Sequence, residues 1–354
     1  MIKLSICIAT YNRADMICET MDSIIAQISD EVEIVVVDGA STDATPEIMH
    51  GYEKRCPAIR YHRMPVKGGV DRDYCHAVSF ATGEYCWLLT DDDIVKPGTM
   101  NTILSLIEQK YSLIILNSEV WDKTLDRMLV PRRMGISKDT YYAPEDREKL
   151  FVEAIGYLSF IGAVVINREL WNKREKAPYI GSDFIHLGVI FQEQLPYGAF
   201  AKADPCIQIR FGNAQWSPRH FDIWLFQWPT IVWSFAGISD KAKQRISWRY
   251  PWKNYATLLL ERADGTYTFS HYRSKLKSLY TSRWRSYVAG LIALSPGVLM
   301  NMAAVFLYNV MTSRDRLFLY RLRTSRFYYG RYFRRTLLSL RKVLPARRQH
   351  VNRG

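Results

Sequence analysis

The first 120 residues alternate between short apolar runs and amphipathic stretches. Leu4-Ser5-Ile6-Cys7-Ile8-Ala9, Glu33-Ile34-Val35-Val36-Val37, Ile59-Arg60-Tyr61-His62 and Glu84-Tyr85-Cys86-Trp87-Leu88-Leu89-Thr90 read as strands, and a further strand is predicted over 112–117. Between them, residues 14–28 carry Met16, Ile17, Met21, Ile24, Ile25 and Ile28 at helical spacing. Thr45-Pro46-Glu47 opens a second helix with proline in its first turn, and a third is predicted from Asp71 to Ala81. This alternation predicts an α/β domain with a mainly parallel, Rossmann-like sheet covered on both faces.

Beyond residue 120 the pattern changes. Residues 120–150 are polar and read as irregular. A second block over 151–215 predicts a strand at 161–166, a helix from Gly181 to Leu195 and a strand at 206–210. Residues 216–285 are rich in Trp and read as helical. The run from Ser286 to Ser313 has no charged side chain, but Ser295-Pro296-Gly297 breaks it near its middle. Neither half is long enough to span a bilayer comfortably, so a helix-turn-helix lying in the membrane interface is expected. The expected division is therefore 1–120 and 121–215 as two halves of one α/β domain, 216–285 as a helical region, and 286–354 as a membrane-associating tail.

Charge sharpens that division. The net charge is +13, yet residues 1–270 hold thirty bases and thirty-four acids, a net of −4. From Arg314 to Gly354 there are thirteen Lys or Arg against Asp315 alone, a net of +12. A basic end beside an apolar run suits an anionic membrane surface. The aromatic-basic alternation over 321–335 also suits RNA, but no recognition module accompanies it, and no nucleic-acid partner is expected. Cys7, Cys18, Cys56, Cys75, Cys86 and Cys206 show no zinc-like spacing and read as reduced thiols of a cytoplasmic protein. Met1-Ile2-Lys3 runs straight into a strand, so no cleaved leader is expected.

The candidate chemistry lies at the ends of the strands, where open α/β sheets bind their ligands. Asp91-Asp92-Asp93 follows a buried strand directly. Three adjacent carboxylates repel one another and contribute little to stability, but they suit a hard divalent cation, Mn²⁺ or Mg²⁺, that also takes substrate phosphates. An acidic turn in solvent is the alternative. Thr10-Tyr11-Asn12-Arg13 ends the first strand and Asp38 closes the second.

Three segments then stand in a fixed order: Ser5-Ile6-Cys7-Ile8-Ala9-Thr10-Tyr11-Asn12-Arg13, Ile34-Val35-Val36-Val37-Asp38-Gly39-Ala40-Ser41-Thr42-Asp43, and Ala81-Thr82-Gly83-Glu84-Tyr85 leading into Asp91-Asp92-Asp93. Together they closely resemble the nucleotide-sugar half of family 2 glycosyltransferases, the inverting GT-A enzymes. Val70-Asp71-Arg72-Asp73, Tyr157-Leu158-Ser159-Phe160-Ile161-Gly162 and Tyr179-Ile180-Gly181-Ser182 resemble the abequosyltransferase-type branch of O-antigen synthesis. The resemblance implies that Thr10, Tyr11, Arg13, Asp38 and Arg72 contact the nucleotide-sugar. It implies that Asp93 binds the metal, Asp91 the metal or ribose, and Asp92 the sugar or ribose. Where the family often carries Asn-x-Gly, this chain has Lys67-Gly68-Gly69, which leaves position 67 without an assigned role.

Inverting transfer needs a base on the acceptor side. Asp183, expected at a helix start, is the first candidate, with an N-cap as its structural alternative. Glu193 is the second. His186 is a candidate further metal ligand, and His220 a weaker one. Trp216, Trp224, Trp228, Trp233, Trp248 and Trp252 can stack on sugar rings or fill a core. The expected donor is a CDP-linked 3,6-dideoxyhexose such as abequose, with UDP-, GDP- or dTDP-sugars as alternatives. The expected acceptor is a polyprenyl diphosphate-linked oligosaccharide at the cytoplasmic face of the bacterial inner membrane, approached by a peripheral enzyme. Two other classes fit these residues less well. A nucleotidyltransferase would place a glycine-rich basic loop where Thr10-Tyr11-Asn12-Arg13 stands. A non-catalytic membrane adaptor would not need the aspartates.

Overall fold

A computed structural model describes residues 1–215, 217–311 and 315–331. The chain divides into two units after Pro251. The first unit thus takes in both expected α/β halves, and the division falls inside the stretch 216–285 rather than at either end of it.

The first unit is built on β1 (Leu4–Thr10), β2 (Val32–Asp38), β3 (Ile59–Arg63), β4 (Tyr85–Leu89), β5 (Ile94–Val95), β6 (Leu113–Asp122), β7 (Met128–Val130), β8 (Thr140–Tyr142), β9 (Val164–Asn167) and β10 (Ala199–Phe211). Its helices include α1 (Ile17–Ile25), α2 (Thr45–Arg55), α3 (Val70–Phe80), α4 (Thr99–Ile107), α5 (Arg147–Leu158), α6 (Arg168–Lys173) and α7 (Ile185–Phe191). The sheet order is β3-β2-β1-β4-β9-β6-β10-β5, with β7 on β6 and β8 on β10. The pairs β2–β3, β1–β2, β1–β4 and β6–β10 are parallel, while β9 runs antiparallel between β4 and β6. The central strands β1, β2 and β4 are buried on both faces, which is why they read as continuous apolar runs rather than alternating ones.

Four expectations need correction. Residues 120–150 are irregular only in part: β6 extends to Asp122 and turns into a hairpin with β7, and β8 pairs with β10. β7 and β8 are only three residues each, too short to show a strand period in the sequence. The strand expected at 161–166 begins at Val164, because Ile161–Ala163 forms a tight turn whose Gly162 carbonyl accepts the Trp87 indole N–H at 2.7 Å. The strand expected at 206–210 runs from Ala199 to Phe211. The helix expected from Gly181 to Leu195 is confined to α7, since Gly181 and Asp183 both have positive φ (+87° and +63°). A left-handed residue cannot belong to a right-handed helix. All six cysteines are unpaired.

The second unit is helical. Tyr255–Asp264, Arg283–Leu294, Gly297–Met311 and Arg316–Thr324 are its main helices. Buried Asn301 ties three of them together by donating to the carbonyls of Ala263 (3.1 Å) and Leu322 (2.9 Å). The uncharged stretch forms two helices bent by 91° at the Ser295-Pro296 break. No single helix among the described residues is long and apolar enough to cross a membrane, although the bent pair passes by length and composition together. Trp284, Tyr287, Leu291 and Leu294 are exposed at spacings that follow one face of the first of these helices. Leu299, Met302, Phe306 and Val310 do the same on the second. The basic stretch beyond 331, and Trp216, lie outside the described residues.

Candidate active site

The strand order places β1 beside β4, with β2 on its other side, so their carboxyl ends frame one crevice. The turn after β1 is held rigidly against the turn after β2. Asn12 N–H donates to the Ser41 hydroxyl (2.8 Å), its side-chain oxygen accepts the Thr42 N–H (2.7 Å), and Arg13 N–H donates to the Thr45 hydroxyl (2.9 Å). Asn12 sits at φ +51°, a backbone that asparagine tolerates. Asp38 is fully buried. Its two oxygens accept the Ser41 N–H at 2.7 Å and the Tyr61 hydroxyl at 2.5 Å. Tyr11 presents its ring to the Lys67 ammonium, 3.4 Å from the ring centroid. Thr10 is buried at the end of β1, and Arg72 lies exposed on α3, donating to the Gly68 carbonyl at 3.4 Å.

Arg13 reaches across to the aspartates. Its Nε lies 3.2 Å from an Asp91 oxygen and its terminal nitrogen 3.2 Å from Asp92. Asp92 also accepts from the Asn213 amide at 2.8 Å. Asp93 accepts the Thr90 hydroxyl on one oxygen and the Arg210 backbone N–H (2.8 Å) on the other. Arg210 continues the network: it donates to the Asp92 carbonyl (3.1 Å) and the Lys123 carbonyl (3.2 Å) and pairs with Glu19 (2.6 Å). Burial drives all three carboxyls up. Asp91 is pushed to about 7 by burial and by Asp92, against the pull of Arg13. Asp92 is raised by burial against Arg13, and Asp93 by burial and Asp92 against its bonds from Thr90 and Arg210. A buried acidic cluster whose ionised form is penalised is one that a bound cation relieves. The donor set is all oxygen, and Arg13 holds only one oxygen each of Asp91 and Asp92. These residues therefore fit a hard divalent cation.

The segment 181–185 is fastened to α3 by Asp71. Its buried carboxylate accepts backbone N–H groups from Gly181 (2.8 Å), Asp183 (3.0 Å) and Ile185 (3.2 Å). Asp183 does not cap α7; Phe184 holds that position. One Asp183 oxygen accepts from Arg219 at 2.8 Å, and the other is buried with no partner among the described residues. Phe184 packs edge-on against Trp224 and Trp228, which places those two rings behind the segment. Glu193 projects into solvent with its side chain 76% exposed and is paired with Arg174 at 2.7 Å. His186 is buried in α7 and bonded through Nε2 to the Leu158 carbonyl at 2.7 Å, with no contact to the aspartates. Burial holds its imidazole near 4, and so neutral. His220 is buried on the helical run that begins there, 6.1 Å from the Trp224 ring.

Several residues of this site carry no legible signal in the sequence. Arg210 and Asn213 belong to no local motif, and their partners are distant in the chain. Asp71 has one, within Val70-Asp71-Arg72-Asp73, where the charge of Arg72 is the more obvious candidate for ligand contact.

Residues 5–170 match the profile of glycosyl transferase family 2. They form a family 2 glycosyltransferase domain. The abequosyltransferase RfbV of Salmonella typhimurium is 26% identical over 198 residues, 53% of this chain and 60% of that protein. A GalNAc(5)-diNAcBac-PP-undecaprenol beta-1,3-glucosyltransferase of Campylobacter jejuni is 28% identical over 32% of this chain and 38% of its own length. The chain thus spans less than two thirds of these curated relatives. Among solved structures, S. aureus TarS 1-349 superposes with TM-score 0.52 at 17% identity, covering 98% of this chain and 93% of that one. The mannosyltransferase PcManGT of Pyrobaculum calidifontis, in complex with GDP-Man and Mn²⁺, superposes with TM-score 0.51 at 16% identity over 91% and 86%. These structural likenesses show a GT-A-like fold.

Proposed function

We propose that this glycosyltransferase moves a sugar, with inversion, from a nucleotide-sugar to a lipid-linked oligosaccharide in cell-surface polysaccharide synthesis. The observation that carries the reading is the Arg13 bridge between Asp91 and Asp92, beside an Asp93 oriented by Thr90 and Arg210, at the β1–β4 crevice. The nucleotide lies along the ends of β1 and β2, with its base against Tyr11 and its ribose toward Asp38 and Asp92. Lys67 leaves the Tyr11 ring to admit it. Arg72 swings onto the diphosphate.

Asp91 and Asp93 would hold a divalent cation, Mn²⁺ or Mg²⁺, which when bound neutralises charge on the departing diphosphate. Asp183 accepts the acceptor hydroxyl proton through its unpartnered oxygen. The acceptor oxygen forms its bond to the anomeric carbon as the bond to the diphosphate oxygen breaks, and that oxygen leaves with the electron pair. Arg219 must release Asp183 for this, because an arginine pair weakens a base. A CDP-linked 3,6-dideoxyhexose is the favoured donor, supported by the 26% identity to an abequosyltransferase. The outward apolar faces over 284–294 and 299–310 then lie in the cytoplasmic leaflet, keeping the enzyme beside an acceptor that cannot leave the bilayer.

Calorimetry with CDP, UDP, GDP and dTDP, each with and without Mn²⁺, tests the reading. One base should bind, dependent on metal, and Asp93→Ala should abolish it. CDP as that base supports the dideoxyhexose donor, another base replaces it, and binding of none would refute the transferase assignment.

A further inference from the structure

Arg133 stands in this crevice without a role. Its position is fixed. The Arg133 N–H donates to the Ser118 carbonyl on β6 at 2.8 Å. Next to it, Met134 exchanges two bonds with the fully buried Asn117 side chain, at 2.9 and 3.0 Å. The guanidinium lies over the rings of Tyr157 and Phe160, 5.9 and 5.5 Å from their centroids. Tyr157 is itself locked by its hydroxyl, which donates to the Leu116 carbonyl at 2.5 Å and the Ser118 hydroxyl at 3.1 Å. The platform is rigid, and stacking sets the plane of the fork.

What the fork lacks is an acceptor. Arg133 is half-buried, yet its guanidinium makes no hydrogen bond or ion pair with any described residue. Asp93 is near enough to feel its charge, but both Asp93 oxygens already have donors in Thr90 and Arg210. A partly buried guanidinium with five donors and no acceptor is costly, and an anion that bonds to them relieves it. A phosphate is an anion that matches the planar fork and also suits a hard cation on Asp93.

We propose that Arg133 is a phosphate-binding residue of the crevice, receiving either the second phosphate of the nucleotide donor or the diphosphate of the lipid-linked acceptor. This rests on the nucleotide-sugar reading above.

The test uses the full chain with Arg133→Gln and Arg133→Lys, both first compared with wild type by thermal melting to confirm folding. CDP, CMP and inorganic pyrophosphate are titrated in Mn²⁺, with the bound base of the panel replacing cytosine if another wins. Roughly tenfold weaker CDP binding by the Gln variant, with CMP unchanged and partial recovery in the Lys variant, assigns Arg133 to the donor. Unchanged CDP binding, with loss of pyrophosphate binding to the CDP-saturated protein, assigns it to the acceptor. Wild-type behaviour of both variants toward both ligands overturns the proposal. Wild-type protein that binds no nucleotide at all sinks the transferase reading instead, and pyrophosphate alone then decides Arg133.

Discussion

Asp71→Asn separates positioning of the proposed base from binding of the donor. The carboxylate of Asp71 accepts three N–H groups, two on one oxygen (Gly181 and Asp183) and one on the other (Ile185). Asparagine keeps one acceptor oxygen and turns an NH₂ toward the remaining donors. At least one buried N–H is left facing another donor, a cost of about 1–3 kcal/mol. Part of that is recovered, because burial already penalises the charged Asp71, pushing its carboxyl above the usual range in spite of the three bonds. The expected net destabilisation is about 1–2 kcal/mol. The effect on catalysis should be larger. Asp183 occupies φ +63°, a backbone that costs an ordinary residue about 1 kcal/mol and persists only while the surroundings impose it. Once the clamp is loosened the base drifts, and a misplacement of an ångström costs about 10²-fold in rate. Steady-state kinetics should therefore give a kcat lower by one to two orders of magnitude with an unchanged dissociation constant for the nucleoside diphosphate. A lowered melting temperature with unchanged kcat would refute the positioning argument. Equal losses in nucleotide affinity and kcat would mean that the whole crevice had collapsed.

Three further outcomes follow from the same structure. Asp183→Asn should lower kcat by about 10²–10⁴ while Glu193→Gln, whose side chain points into solvent beside Arg174, leaves it within about twofold; the reverse ranking would transfer the base role. His186 is held neutral in the folded protein, with its pKa lowered from 6.5 to about 4, so the unfolded chain binds a proton first as pH falls. Stability is accordingly whole above about pH 6.5 and is lost progressively toward pH 4, by up to about 3 kcal/mol, and a His186→Gln variant with the same pH dependence in denaturant titrations would exclude this cause. Sedimentation with vesicles containing anionic phospholipid should pull down the wild type, and Leu299→Glu with Phe306→Glu should weaken that binding at least tenfold, whereas full retention would mean that the apolar faces are not the contact.

Much of the frame is legible in the amino-acid sequence. The apolar runs of β1, β2 and β4 are continuous because both sheet faces are covered, and that pattern is local. The turns after them are recognisable because Asn12, Gly39, Asp43 and the aspartates follow the strands within a few residues. The helix expected over 181–195 begins too early because Ser182 and Asp183 are residues typical of a helix start. What keeps that stretch from being helix is the Asp71 carboxylate, 110 to 114 positions earlier in the chain. His186 and Glu193 would be equally placed for chemistry on the longer helix, yet the true element buries the first and turns the second to solvent.

What the sequence determined by itself is the order of strands and helices and the carboxylates at the strand ends, since strand periodicity and strand-end position are properties of neighbouring residues. The tertiary structure alone decided which side chains surround those carboxylates. Arg210 and Asn213 lie 117 and 121 positions from their aspartate partners, and Arg13 lies 79 from Asp92. No local pattern encodes such pairings, because they arise only when β10 is laid beside β5, with Gln208 opposite Ile94, and the turn after β1 is brought up to the end of β4. The same packing settles ionisation: isolated aspartates titrate alike, and it is burial among one another and beside Arg13 that drives Asp91 up to about 7.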